Sequence, residues 1–449
     1  MTSPTTASEN TAAVLQKTTL SFRALMGIFV FALFFRVLYI WFAVDNSSMG
    51  GWYDSGANIA LNMMEGRGYV ASWEVCRDFQ SFRTPVLPLV LYAVWSVLGF
   101  KIVAAKLVMA LFSAATCVLL SLIATRLFDA RVGLAAGIAT AICTSLIRWT
   151  GTLGADTLAV FFLVAGVYYF CCPSPRFSSG ARFFLSGLMF GLLCLTRPLW
   201  LPYVAIIIVS YAMSKSRGRR ERGRRERGRS KNAFILCAAL SLVMLPWMVR
   251  NALVHRTVVI ASTEGGIAFL EANNPISYAG KGDWAVHFAV NQPDVQRASR
   301  VLPEAAFDRF MLRKGLGYAA ADPFNFGRVY LIKLGYLWRP VPPPQHAGDL
   351  SGKHLAWMTL WWSTFTALML VALAALRPWR TPEQKAILWV LVWGSLILPL
   401  FSSQLRYRAP LEPFILLLGS AGWFAILDGW KRRTSLKSAT QHRVLDVAK

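Results

Sequence analysis

Long apolar runs alternate with short polar breaks along the chain. About ten of these runs approach the roughly 20 apolar residues that a bilayer-spanning helix needs. They cover 24–44, 102–125, 132–147, 155–171, 182–196, 198–214, 233–249, 355–376, 386–401 and 410–428. They admit Gly, Pro and Trp freely, as membrane helices do. The strict alternation of a membrane β-barrel is absent, so the spans are read as helices that satisfy their own backbone hydrogen bonds. The pattern therefore predicts an all-α, polytopic helical membrane protein.

Polar breaks orient these spans. Residues 215–231 read KSRGRRERGRRERGRSK, with a repeated RGRRE unit and no apolar face, which predicts a solvated cytoplasmic loop. Counting spans outward from it puts TRLFDAR (125–131), PSPRFSSGAR (173–182), RPWRTPEQK (377–385) and KRR (431–433) on the same side. RWTGTLGAD (148–156), the stretch 250–354 and SSQLRYRAPLEP (402–413) fall on the other side. Only the RYR loop opposes the positive-inside trend. The same parity excludes a full crossing by 84–100, TPVLPLVLYAVWSVLGF, where Pro85 and Pro88 stand at the start. That segment is read as a juxtamembrane helix in the outer leaflet, and FGRVYLIKLGYLW (326–338) likewise. The division that follows is a disordered cytoplasmic N-terminus (1–23) and a transmembrane module (24–249). The module carries the first outside loop (45–101) and the cytoplasmic Arg-rich loop (215–231). An outside region (250–354), C-terminal transmembrane helices (355–428) and a cytoplasmic tail (429–449) complete the chain.

Composition narrows the function classes. Hydrophobic residues make up 55% and charged residues 15% of the 449, against about 25% charged in soluble domains. This excludes a disordered chain and argues against a soluble enzyme. The net charge of +25, from 47 Lys and Arg against 22 Asp and Glu, is accounted for by cytoplasmic loops, so no nucleic-acid partner is expected. Membrane lipids are expected partners, through anionic headgroups at the Arg-rich loop. Most of the seven cysteines lie in apolar runs, where Cys acts as a small hydrophobe, and no disulfide framework or zinc spacing appears.

The outside face holds the candidate chemistry. Asp54 precedes a short amphipathic helix (55–65) and GRGY; Asp156 opens the span after 155. Each is either a helix N-cap or a carboxylate whose apolar surroundings make it a better base. Arg197, Arg250 with Asn251, and Arg406-Tyr407-Arg408 place cations on the face where orientation does not require them. Each is either a snorkelling side chain or a ligand for an anion, and Arg suits phosphate through its planar fork. Arg36 lies inside the first span and Lys106 inside the second; an intramembrane charge is a functional candidate by default. Walker, Rossmann, nucleophile-elbow and paired-His metal patterns are all missing.

The ordered set WYDSGANIALNMMEGRGY, RTPVLPLVLYAVWSVLG, TRLFDARVGLAAGI, LTRP, PWMVRN, STEGGIAFLEANNP and LRYRAPLEP covers most of 24–428. It resembles the bacterial polyprenyl-phosphate-sugar-dependent membrane glycosyltransferases of the protein O-mannosyltransferase and lipid A aminoarabinose transferase type. The resemblance implies the GT-C fold and an inverting sugar transfer from a polyprenyl-phosphate donor. The acceptor would be a glycan, lipid or protein at the periplasmic face of a bacterial inner membrane. It implies Asp54 as base and Asp156 as second acid, with Arg250, Arg406 and Arg408 on the donor phosphate. Arg36, Arg83, Arg197, Glu264, Asn251 and Tyr407 are further candidates. No cofactor is required by the motifs; a divalent metal ion is left open, with Asp54 and Asp156 to hold it. A lipid-linked sugar flippase or transporter is the rival class. It would show ionisable residues deep in several spans and often an internal repeat, and only Arg36 and Lys106 fit.

Overall fold

The computed structural model describes residues 19–46, 55–73, 76–173, 177–214, 222–280, 288, 291–338, 382–401 and 405–447. The described part is a helical bundle with one short β-hairpin, Ala71–Trp73 paired antiparallel with Cys76–Phe79. Bundle helices are α1 (Phe22–Phe42), α4 (Ile102–Leu127), α5 (Ala130–Ala141) with α6 (Thr144–Arg148), α7 (Asp156–Cys171), α8 (Ser179–Cys194), α9 (Leu201–Ala212), α10 (Arg222–His255), α16 (Pro382–Phe401) and α17 (Glu412–Val447). Short helices cap one end: α2 (Ser55–Met64), α3 (Val86–Leu98), α11 (Gly265–Ala272), α12 (Pro275–Ala279), α13 (Pro293–Val301), α14 (Glu304–Ala321) and α15 (Pro323–Trp338). By length and hydropathy, α1, α4, α10 from Arg227 and α17 up to Lys431 each suffice to cross a membrane; α5 and α6 do so together as a bent pair, while α7, α8, α9 and α16 are apolar but shorter. The chain is an integral membrane protein. The expected span 355–376 lies outside the described residues.

Contacts sort the loops into two ends, as the charge pattern predicts. Arg131, at the start of α5, pairs with Asp129 and with Asp428 on α17. Asn232 on α10 donates to Ser179 at the start of α8 and to Tyr211 at the end of α9. These share the end of the Arg-rich run. At the other end Lys106, in the first turns of α4, bonds Asn46 Oδ1 at 2.9 Å and the Asp45 carbonyl. The N-terminus of α3 docks on the far end of α8 (Val86 N–H to Leu195 O, 3.4 Å). The first turns of α4 then follow at that same end, so α3 begins and finishes on one side, as a juxtamembrane helix must.

Two boundaries differ from the sequence reading. The Arg-rich run is helical from Arg222 and continues into α10. Arg and Glu are good helix formers, and a helix already nucleated by an adjoining span propagates cheaply. For the same reason α17 continues to Val447, through most of the expected tail. The run 132–147 is also not one straight helix, because α5 and α6 are bent by 48°.

Arg36 explains the bend. Fully buried in α1, it donates to Ser113 Oγ (2.7 Å) on α4 and to the carbonyl of Ala141 (2.9 Å). A longer contact reaches Thr140 O. The Thr140 carbonyl also accepts from the Cys143 N–H at 3.3 Å, so it is the Ala141 carbonyl, at the end of α5, that takes Arg36 as its partner. The cation therefore supplies donors that the bilayer does not. Close helix contacts also need small residues: a Cβ on Gly187 of α8 would collide with the Leu236 carbonyl of α10. A second apolar core lies over the capped end. Ile59 of α2, Phe79 and Phe82 meet Leu270 of α11 and Phe307 and Met311 of α14 there. The first outside loop and the 250–338 region thus share one layer.

Arg36→Met should leave the Ala141 carbonyl at the α5–α6 break unsatisfied, at about 1–3 kcal/mol. A lower melting temperature of the purified protein is the expected result; wild-type melting would refute this role. Arg67→Cys and Lys101→Cys, on either side of α3 along the chain and each in a Cys-less background, should be labelled by an impermeant thiol reagent from the same side of the membrane. Labelling from opposite sides would refute the placement of α3.

Candidate functional site

Helices α7 and α8 form an antiparallel pair, and each has 16 residues. That length rises about 24 Å, short of the roughly 30 Å hydrocarbon core. Asp156 starts α7, and Arg197 follows the C-terminus of α8. Their side chains meet at 2.9 Å with 8% and 13% exposure. Each charge lies at the helix end whose dipole favours it. Asp156 thus meets a cation at the start of its helix.

The start of α3 rests on this pair. Thr84 Oγ1 donates to Thr196 O at 3.1 Å, which fixes Arg83 beside the Arg197 segment. Arg83 pairs with Glu264, donates to the Ser55 hydroxyl of α2 and packs over the Phe82 ring. Gly56 then lies against Leu87 and Pro88, where a Cβ would clash. Between these parts opens a cleft of about 130 Å³. Its polar lining includes Arg83, Arg197, Glu264 and Tyr407; its apolar wall includes Leu87, Pro88, Leu199, Ala268 and Phe401. Arg197 also stands over the Tyr407 ring at 5.9 Å.

A polar joint beneath the hairpin supports the cleft. Glu304, in the first turn of α14, accepts from Gln80 N–H (2.6 Å), Ser81 N–H (2.8 Å) and Thr263 Oγ1 (2.5 Å). His255 Nε2 lies 2.8 Å from Ser81 Oγ, which donates to Asn251 Oδ1 at 2.8 Å. Arg250 donates to Gln80 O (2.6 Å) and Ser81 Oγ (2.9 Å) and stacks on Trp247. One turn beyond Glu304, Asp308 accepts from Gly266 N–H at 2.6 Å. Burial holds the Asp308 carboxyl above the usual range, and the Glu304 charge adds to this.

The candidate residues thus separate. Arg83, Arg197, Glu264 and Tyr407 line one cleft, and Asp156 is bonded to it through Arg197. Arg250 and Asn251 belong to the joint. Arg406 packs over the Tyr407 ring at 5.2 Å without itself lining the cleft. Arg408 is 2% exposed and binds buried Glu412 at 3.4 Å and Leu337 O at 3.1 Å, which makes it a poor fit for an incoming phosphate. Arg36 serves the α5–α6 break. Asp54 lies outside the described residues. Glu304, Ser81, Thr263 and His255 were missed: in sequence Glu304 is only the first-turn acid of a helix after Pro303. As to a metal, no group of three or more His, Cys, Asp or Glu side chains is arranged to hold one among the described residues. Asp156 is paired with Arg197, and Asp54, the other residue left open for a metal, lies outside the described residues.

Known proteins resemble this chain in sequence pattern and in fold. The sequence model of the dolichyl-phosphate-mannose-protein mannosyltransferase family matches residues 83–249. No curated protein sequence matches. The structure resembles the Archaeoglobus fulgidus oligosaccharyltransferase AglB in complex with an inhibitory peptide and a dolichol-phosphate. The TM-score is 0.52 at 11% identity, over 92% of this chain and 52% of that one. The same archaeal enzyme tethered to an acceptor peptide gives 0.53 at 13% identity, over 93% and 51%. ArnT from Cupriavidus metallidurans bound to undecaprenyl phosphate gives 0.42 at 14% identity, over 90% and 78%. The chain spans about half the length of the archaeal enzyme. It has the GT-C fold, and across 83–249 it carries the sequence pattern of the mannosyltransferase family.

Asp308 yields a pH prediction. Its pKa is raised in the folded state. The stability it contributes is therefore present below the ordinary carboxylate value of about 4 and lost as pH rises through the folded value. Asp308→Asn keeps an acceptor for Gly266 N–H without the charge. The variant should melt higher than wild type at pH 7, with the difference shrinking towards pH 4. An equal or lower melting temperature at pH 7 would contradict this assignment.

Proposed function

We propose that the chain is a membrane glycosyltransferase that moves a sugar from a polyprenyl-phosphate donor, with inversion, to a hydroxyl or amine of a glycan, lipid or protein. The cleft end faces the periplasm of a bacterial inner membrane. One observation carries this reading: two guanidinium groups, Arg83 and Arg197, line a cleft with an apolar wall of Leu87, Pro88, Leu199 and Phe401. A phosphate with a hydrocarbon tail needs that combination. The archaeal structure of like fold was solved with a dolichol-phosphate, which supports a ligand of this class.

The chemistry asks little of an acid catalyst, because phosphate is already a weakly basic leaving group. It asks for cations where charge grows on the departing oxygen and for a base at the acceptor. Arg83 and Arg197 take the first role in place of Arg250, Arg406 and Arg408, which the joint, the Tyr407 stack and the Glu412 pair engage. Asp156 orients Arg197. Asp54 is the base: Ser55, the next residue, accepts a bond from Arg83. The prenyl tail lies along the apolar wall, so the donor reacts without leaving the bilayer.

Steady-state kinetics with a panel of short-chain polyprenyl-phosphate sugars test this. Asp54→Asn should lower kcat about 10²–10⁴-fold. Arg83→Ala and Arg197→Ala should lower both kcat and kcat/KM, and Lys at either position should restore part, since it keeps charge but loses the fork. Unchanged kinetics in both Ala variants would overturn the phosphate assignment. Unchanged kcat in Asp54→Asn would move the base elsewhere.

A further inference from the structure

We propose that Glu304 is the positioning residue of the cleft, setting the place of Arg83 and Glu264 without touching a substrate. The proposal deepens the reading of Arg83 as a phosphate ligand and rests on it.

Two distant segments supply the Arg83–Glu264 pair, and both are loops. Ser81 stands two residues before Arg83, and Thr263 one residue before Glu264. They join directly through one backbone bond, Thr263 N–H to Ser81 O at 2.9 Å. Glu304 holds both from a third element. Its Oε1 accepts from Ser81 N–H and Thr263 Oγ1 together, and its Oε2 accepts from Gln80 N–H. The side chain is 8% exposed, with His255 Nε2 at 3.9 Å on its remaining side. A carboxylate offers about four acceptor sites and no donor, so three donors from two loops converge on a group that can take all of them. Charge-assisted bonds of this kind are roughly twice as strong as neutral ones. Glu304 is itself fixed, because α14 is anchored by Phe307 and Met311 in the second apolar core.

The consequence is geometric. Binding groups must be held within about 0.5 Å of their working positions, and the single backbone bond between the two loops does not by itself fix one against the other. With Glu304 in place, the Arg83 segment and the Glu264 segment move as one body with α14. Glu304→Gln disturbs this with almost no change of volume. An amide has one acceptor oxygen, and its NH2 would face a backbone N–H donor.

Two measurements on the purified full chain decide the matter. The first is hydrogen–deuterium exchange of the protein without ligand. Glu304→Gln should raise uptake in peptides covering 79–84 and 261–267, with α7 and α8 unchanged. Unchanged uptake in those peptides would overturn the proposal whatever Arg83 does. The second is binding of a short-chain polyprenyl phosphate to wild type, Arg83→Ala, Glu304→Gln and the double variant. Arg83→Ala should weaken binding about ten- to hundredfold, and Glu304→Gln should weaken it as well. The double variant should bind no worse than Arg83→Ala alone, because Glu304 acts through Arg83. Losses that multiply would overturn the proposal and leave Glu304 a general support of the fold. Wild-type binding by Arg83→Ala would instead refute the phosphate reading, and exchange alone would then decide for Glu304. If Glu304→Gln does not fold, Thr263→Val removes one of the three donors at the same volume. It should show the same two effects, smaller; their absence would count equally against the proposal.

Discussion

A peptide group inside a bilayer has no water to bond, so every break in a helix needs a partner from the protein. The interruption between α5 and α6 is where this constraint bears hardest. Ala141 would expose its carbonyl there, and Arg36 reaches across from α1 to cover it. The same guanidinium binds Ser113 on α4, so one side chain ties three helices at the depth where the bundle bends. The cost of placing a cation there is offset by the full set of acceptors around it. The bend carries the chain to Trp149 and then to Asp156, where the cleft begins.

Three charged contacts in and near the cleft follow a related rule. Asp156 with Arg197, Glu264 with Arg83 and Glu412 with Arg408 are cation–carboxylate pairs. Their exposures differ, and so do their uses. Arg408 and Glu412 are closed off and knit α15, α17 and the turn Leu405–Arg408 together. Arg83 and Arg197 stand at an open wall. The cleft is thus made where three parts meet: the ends of short helices, the segment around Arg83, and the layer built from α11 and α14.

The two ends read from Lys and Arg agree with the contacts at Arg131, Asn232 and Lys106, and the helical reading agrees with the described residues. Those signals are local sums over many residues, and tertiary packing has little power to reverse them. Helix ends were less readable. The Arg-rich run looked like a solvated loop because it has no apolar face, yet a helix extending from a span needs none. The 48° bend at residue 142 was invisible because the donor that permits it lies in another helix.

The residue types of the site were present in the sequence: cations on the face where orientation asks for none, and acids at helix starts. From this pattern alone follow a polytopic helical bundle, its two sides and a set of charged candidates on one of them. Which candidates share a cleft was decided by the tertiary structure. It joined Arg83 to Glu264 and Arg197 to Asp156, withdrew Arg408 into a buried pair, and enlisted Glu304 from a helix start that reads as ordinary. The physical reason is range. Hydropathy and positive-inside bias act through the nearest twenty residues and the bilayer. A charge inside the protein takes its role from whatever partner the fold brings within about 3 Å, and that partner has no fixed distance along the chain.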